Sequence, residues 1–187
     1  MKRPLFKWPV WLVLAVSVAT TSCDQTPSPT ESLPTPAPAA AVTQSSYTLV
    51  HDDLKLGDVL GVSAWIGIKG GKINCSGHIL TVPAGAVKLP TLFTMTLVTD
   101  GYIKVDLRAT VTDLLGRVVD VGSLGFKQPV SLTLTYKRSP DNLDPSRLLI
   151  VYLNGTLLEP VPSKVDPKSE TVTATLSHFS KYAMATN

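Results

Sequence analysis

Most of the chain after residue 46 alternates between apolar and polar side chains in short segments. The segment 93–97 has apolar residues at its odd positions and threonine at its even positions. The same period of two runs through 103–111 and 130–136. Because successive side chains of a β-strand point to opposite faces, each segment is predicted to be a strand with one face in a core and one in water.

Other short segments complete the predicted set of strands. The segment 148–153 is apolar at every position, which predicts a strand that is covered on both sides. No segment of this region has a helical period long enough to predict a helix. The remaining strand candidates are 62–68, 72–75, 78–82, 156–161 and 171–185.

Turn-forming dipeptides separate these segments. Asn154-Gly155 lies between two apolar runs and is the strongest hairpin signal, because both central residues of such a turn require positive φ. Many short antiparallel strands at this spacing predict an all-β fold, and we favour an antiparallel β-sandwich over a barrel. The other turn signals are Gly70-Gly71, Asp100-Gly101 and Asp166-Pro167.

The first 23 residues, MKRPLFKWPVWLVLAVSVATTSC, follow a different pattern. A basic start precedes an apolar run from Trp8 to Ala19. The run is too short to span a bilayer core, which needs about 20 residues, but it suits the hydrophobic part of an export signal.

Small residues and then Cys23 follow this run, and here the chain resembles a bacterial lipoprotein signal. Ser22 and Cys23 match the family pattern of a small residue before cysteine, and Thr20 stands where leucine is common. The resemblance implies a signal peptide over 1–22, acyl chains such as palmitate on Cys23, and attachment to a bacterial membrane, facing the periplasm or the exterior. Secretion without lipid and an uncleaved membrane helix are the alternatives.

Residues 23–46 are rich in proline, serine, threonine and alanine and have no hydrophobic period. Such a segment cannot bury enough apolar surface to offset its chain entropy, and its prolines favour extended structure. We therefore predict a disordered tether over 23–46, followed by one folded domain over 47–187.

The basic charge of the chain belongs to its first segment. The chain has 17 basic and 14 acidic residues, and Lys2, Arg3 and Lys7 are the only charges before Cys23. Without these three the balance is neutral, and the domain has no run of lysine or arginine, so a nucleic-acid partner is not expected. If Cys23 carries lipid, Cys75 has no disulfide partner and is expected to be a small buried residue.

Three stretches of the domain form a pattern: GGKI at 70–73 with LTVPAGAV at 80–87, KQPVSLTL at 127–134, and LSHFSKY at 176–182. In this order they resemble the ZU-five domain of zonula occludens proteins, netrin receptors and ankyrins. The resemblance covers about 63–186 and implies a β-sandwich. In the first stretch, Pro83 is expected to end a strand and Gly85 to adopt positive φ, so this motif is interpreted as structural.

The resemblance also suggests one chemical site, since His-Phe-Ser is a self-cleavage site in some ZU-five proteins. Ser180 would attack the carbonyl of Phe179, and His178 would accept the hydroxyl proton. On a single strand, His178 and Ser180 would share one face with Val172, Leu176, Tyr182 and Met184. The alternative is a structural motif, because cleavage would separate only Ser180–Asn187.

No other group of residues predicts chemistry. His51, His78 and His178 have no acidic or cysteine partner at a metal-ligand spacing, and no cofactor motif or small-molecule site is evident. We expect solvated turns at Asp52, Asp53, Asp58, Asp141, Asp144 and Asp166. The sequence gives no sign of an enzyme acting on an external substrate. It favours a lipid-anchored module that binds an envelope protein or polymer.

Overall fold

A computed structural model describes residues 46–55, 58 and 60–187. These residues form two antiparallel sheets packed against each other, as the alternating pattern predicts for a β-sandwich. The predicted signal peptide, Cys23 and all of the predicted tether except Ser46 lie outside the described residues. No helix in the described part of the chain is long and apolar enough to cross a membrane.

The first sheet has eight strands. Six of them lie side by side in the order β10-β9-β13-β6-β5-β2, while β1 pairs with β13 and β7 pairs with β6. Their bounds are β1 Thr48–Leu49, β2 Gly61–Ile66, β5 Thr91–Leu97, β6 Lys104–Thr112, β7 Val118–Asp120, β9 Leu148–Asn154, β10 Leu157–Val161 and β13 Lys181–Thr186.

The second sheet has five strands in the order β11-β12-β8-β4-β3. A single 3-10 turn, Pro145–Arg147, precedes β9. The strands are β3 Gly71–Cys75, β4 His78–Val82, β8 Val130–Thr135, β11 Ser163–Asp166 and β12 Thr171–Leu176.

One core fills the space between the sheets, and it is built from the inward positions of the alternating segments. Phe93 and Met95 from β5 meet Leu132 and Leu134 from β8, and all four are fully buried. The segment 148–153 in β9 is apolar at every position because its second face also packs against apolar side chains. Val151 belongs to a separate cluster with Ala183 and Ala185, so β9 is covered on both faces as predicted.

The structure confirms the predicted turn at Gly85 and corrects the predicted backbone of the hairpin at Asn154-Gly155. Gly85 has φ of 78° and its N–H donates to Ile68 O over 2.8 Å, which confirms the structural interpretation of the Pro-Ala-Gly turn after β4. The hairpin at Asn154-Gly155 is also present. However, Asn154 is the last residue of β9 and only Gly155 has positive φ, so the prediction of two such residues is wrong.

Candidate functional site

His178, Phe179 and Ser180 lie where the chain crosses from one sheet to the other. The prediction of one strand over 171–185 is wrong, because β12 ends at Leu176 in the second sheet and β13 begins at Lys181 in the first. The four residues between them form a bend rather than a paired strand. The argument that His178 and Ser180 share a strand face therefore does not hold.

The ring of His178 lies at the surface among aromatic neighbours. Its centroid is 5.3 Å from that of Tyr152, in an edge-to-face arrangement, and 6.4 Å from that of Tyr182. Its Nδ1 is 3.4 Å from the hydroxyl of Ser177. These residues line a shallow cleft of about 270 Å³. The Tyr182 hydroxyl donates to His178 O over 2.9 Å, and burial raises the pKa of Tyr182 to about 12.

Phe179 is a core residue. It is 5% exposed, and its ring lies edge-on to Phe126 and Phe93 at 4.6 and 5.6 Å between centroids. Its N–H donates to Gly122 O over 2.8 Å, and Ser180 O accepts from Leu107 N over 3.0 Å. The crossover is therefore fixed by an aromatic cluster and by backbone hydrogen bonds.

The imidazole of His178 and the hydroxyl of Ser180 are two residues apart in the chain, but they are not linked as a base and a nucleophile. Within the described residues, no hydrogen bond links His178 to Ser180 and no group donates to Phe179 O. Residues 178–180 also lack the positive φ that would mark backbone strain. Catalytic hydrogen bonds often tighten only during reaction, so self-cleavage at this peptide stays a prediction.

A charged cluster in the interior joins the segment after β1, the start of β4 and the segment after β8. The Arg138 guanidinium donates to both carboxylate oxygens of Asp52, over 3.1 and 3.0 Å, and to Ser76 O over 2.9 Å. His78 is fully buried beside this pair, with Nε2 at 4.0 Å from Asp52 Oδ2. The expectation of a solvated turn at Asp52 is therefore wrong, since its side chain is 4% exposed.

The hydrogen bonds decide the protonation of His78. The backbone N–H of Thr135 donates to His78 Nδ1 over 3.2 Å, so Nδ1 carries a lone pair and the proton of the neutral ring is on Nε2. The contact of 3.2 Å from Nε2 to Arg138 Nη2 then brings two donors together and is not a hydrogen bond. Burial, with Arg138 adding to it and Asp52 opposing, lowers the pKa of His78 to about 4.

Cys75 lies beside this cluster and is a fully buried thiol, as expected from its sequence context. Burial raises the pKa of the thiol, and the nearby Arg138 charge acts in the opposite direction. A raised pKa keeps the sulfur protonated, which is the form that neither attacks nor binds metal. The cluster is therefore interpreted as structural.

Sequence reasoning missed this cluster although one signal was available. In β4, His78 has the same parity as Leu80 and Val82, which are both buried, so the period of two already places it inward. A buried histidine needs a hydrogen-bond partner. Its charged neighbours cannot be read from local sequence, because Asp52 and Arg138 are 86 residues apart.

Asp144 and Asp166 are exposed and accept hydrogen bonds from the turns that follow them, as expected for solvated turns, whereas Asp141 is partly buried and accepts from His51, which is 90 residues away. Hydrogen bonds from nearby groups hold the pKa of each below its usual range. The largest contribution to the lowered pKa comes from the backbone N–H of His51 for Asp141, from the Ser146 hydroxyl for Asp144 and from the Ser169 hydroxyl for Asp166. The described residues contain no group of three or more His, Cys, Asp or Glu side chains that could hold a metal ion.

One end of the sandwich exposes apolar side chains around a groove. The groove has a volume of about 250 Å³, and Leu89, Val111, Val121 and Phe126 are among the residues that line it. Lys88 and Lys127 border it, and the charge of Lys88 lowers the pKa of Lys127. Neither lysine forms an ion pair with an acidic side chain within the described part of the chain.

Exposed side chains extend this apolar surface. Leu114 and Leu115 form the tip of the β6–β7 hairpin, which continues from Val111, and Leu124 lies between Val121 and Gly125. We call the whole set the apolar end; besides the groove it comprises Leu114, Leu115, Val118 and Leu124, each more than 70% exposed. Exposed apolar side chains beside a groove are typical of a binding surface rather than of a solvated loop.

The chain matches no known protein-family model, and no curated protein is significantly similar to it. The resemblances to a lipoprotein signal and to the ZU-five domain therefore stay predictions.

Proposed function

We propose that the chain is an exported lipoprotein, anchored to a bacterial membrane through Cys23, whose β-sandwich is an interaction module. The apolar end supports the second part of this proposal, the interaction module. Its leucines lie on loops at one end of a rigid double sheet, which is where sandwich domains commonly bind their partners. The unpaired lysines beside the groove favour an apolar partner that also has acidic groups, such as an envelope protein or polymer.

The anchor is tested by growth of a bacterial host with labelled palmitate. The full chain is expected to incorporate label, and Cys23→Ala is expected to lose it while the chain is still made. Cys75→Ala is the matched control, because this cysteine is buried in the domain and is expected to leave the labelling unchanged. Equal labelling of the chain with and without Cys23 would overturn the anchor.

The binding surface is tested by capture from envelope extract with the full chain as bait. The double variant Leu114→Ser with Leu115→Ser removes two exposed apolar side chains that have no role in the core. It is expected to lose the captured partner. Leu157→Ser is the control, since Leu157 is 53% exposed but lies on the β9–β10 hairpin. Equal capture by all three proteins would contradict binding at the apolar end.

Self-cleavage between Phe179 and Ser180 is the alternative function, and intact mass measures it directly. Under the interaction proposal, the purified chain and Ser180→Ala have the same mass apart from the substitution. A species that lacks Ser180–Asn187 in the parent chain, and is absent in Ser180→Ala, would establish the alternative. No described contact favours that alternative over the interaction module.

A further inference from the structure

The side-by-side strand orders of the two sheets end in four strands, and three of these carry residues that oppose pairing with another chain. β10 contains Glu159 and Pro160, β11 contains Lys164 and Asp166, and β3 contains Lys72. Charges and proline on an edge strand are the usual protection against edge-to-edge association. The fourth edge, β2, has the sequence GVSAWI and contains neither a charge nor a proline.

The backbone groups that β2 offers follow from its register with β5. Leu60 lies opposite Leu97, and Leu97 N donates to Leu60 O over 2.7 Å, so this is a hydrogen-bonded pair. Hydrogen-bonded and non-hydrogen-bonded pairs alternate along an antiparallel ladder. The N–H and C=O groups of Gly61, Ser63 and Trp65 therefore point away from β5, and within the described residues no other strand pairs with them.

The side chains of the same three residues lie on the outer face of the sheet. Gly61, Ser63 and Trp65 are exposed, whereas Val62 and Ala64 between them pack against the core. Trp65 is 61% exposed, which is unusual for the largest apolar side chain. The open edge thus combines unpaired backbone groups with an uncovered aromatic ring.

We propose that β2 pairs with β2 of a second copy of this chain, antiparallel and across a two-fold axis. The register that uses every outward residue places Ser63 opposite Ser63 of the second copy and Trp65 opposite Gly61 of the second copy. By the same two-fold axis, Gly61 lies opposite Trp65 of the second copy, and each of the three resulting pairs exchanges two hydrogen bonds. Each indole then covers a glycine, so the pairing is self-complementary in shape as a two-fold interface requires.

The pairing closes after two copies. The opposite end of the same sheet is β10, where Glu159 and Pro160 oppose the addition of a further strand. A heterologous β2–β10 contact would build an open array, and these residues disfavour it. The structure thus favours a dimer with one continuous sheet over a filament.

Disulfide trapping in the full chain tests the register. In the proposed dimer, Ser63→Cys brings two thiols together at a hydrogen-bonded pair, where Cα atoms are about 5.5 Å apart and a disulfide is allowed. Thr96→Cys is the matched control, because Thr96 is exposed on the neighbouring strand β5. Its counterpart would be three strand spacings away across the sheet and also offset along the strands, so the separation exceeds about 14 Å and is beyond the reach of a disulfide.

Under mild oxidation, Ser63→Cys is expected to give a reducible band of twice the mass. Thr96→Cys is expected to give no more of this band than the parent chain does. The band of the parent chain measures any cross-linking through Cys23. Equal cross-linking of the two variants, or none by Ser63→Cys, would overturn the proposal.

Sedimentation in detergent supplies a second, independent measurement. Ser63→Pro removes an outward N–H that the ladder with β5 does not use, so the fold is expected to survive. Ser63→Ala is its control, because both variants lose the hydrogen bond between the hydroxyls of Ser63 and Thr94 but only proline lacks the N–H. We expect the dimer dissociation constant to rise at least tenfold in Ser63→Pro and not in Ser63→Ala. Equal constants for the two variants, or a monomeric parent chain, would refute the pairing.

Discussion

At the scale of single residues, the ion pair of Asp52 and Arg138 stabilises the domain, and its side chains are 4% and 21% exposed. The Asp52 carboxylate is held by two hydrogen bonds from one guanidinium. Arg138→Met would leave this carboxylate buried without its partner, which costs about 3–5 kcal/mol in the free energy of unfolding. Urea denaturation followed by circular dichroism measures the loss.

Arg108→Met is the matched control for that substitution. The Arg108 side chain is 67% exposed and is 3.5 Å from Asp106, and exposed pairs contribute at most about 1 kcal/mol. A similar loss of unfolding free energy in both variants would mean that the pair of Asp52 and Arg138 stabilises the domain no more than an exposed ion pair does.

His78 makes the stability of the domain depend on pH. Its pKa is about 4 in the folded chain and 6.5 when unperturbed, so between these values the unfolded state binds a proton that the folded state does not. The free energy of unfolding therefore falls as the pH drops from 6.5 to 4, by about 3 kcal/mol in total. Protonation at Nδ1 would also break the hydrogen bond from Thr135.

Urea midpoints measured between pH 4 and 7 check this dependence. His78→Gln is expected to flatten the curve, while His178→Gln, at the surface, is expected to keep its slope. An unchanged slope in His78→Gln would assign the pH dependence to other groups.

At the scale of the element, Gly70 allows the chain that enters β3 to lie against the end of β4. Gly70 has φ of 73°, and a Cβ at this position would lie 2.4 Å from Val82 O. Gly70→Ala therefore combines a left-handed backbone, which costs about 1–2 kcal/mol, with a clash against backbone atoms. Gly116→Ala isolates the first contribution, because Gly116 has φ of 76° and open space around it. In thermal unfolding, the melting temperature is expected to fall clearly further in Gly70→Ala than in Gly116→Ala.

The strands differ in how far the sequence reveals them. Strands such as β5 and β6 follow from alternation, because one face is buried and the other solvated. β7 was missed, since three exposed residues, Val118–Asp120, have no alternation to detect. The break between β12 and β13 was missed for a different reason. Leu176 and Tyr182 are both buried and have the same parity, so the period of two continues across a bend that changes sheets.

The candidate site shows the same limit. The sequence named His178, Phe179 and Ser180 by resemblance, and the structure places all three at one crossover. What local sequence could not supply is the surroundings, because Phe93 and Gly122, which contact Phe179, come from distant parts of the chain. These long-range contacts make Phe179 a packing residue, whether or not Ser180 reacts.

At the scale of the whole molecule, a single core unites the two sheets, and the crossover at Phe179 is one of the points where they are joined. Its ring packs against Phe93 of the first sheet and Phe126 of a connecting loop.

Phe179→Ala is expected to lower the free energy of unfolding by about 3–5 kcal/mol, since it leaves a cavity in this cluster. Because both sheets share the core, unfolding in urea is expected to stay a single transition with a lower midpoint and an unchanged slope. Leu115→Ala, which truncates an exposed side chain, serves as the control and is expected to change stability by less than about 0.5 kcal/mol. Two separate transitions in Phe179→Ala would instead mean that each sheet holds together without the other.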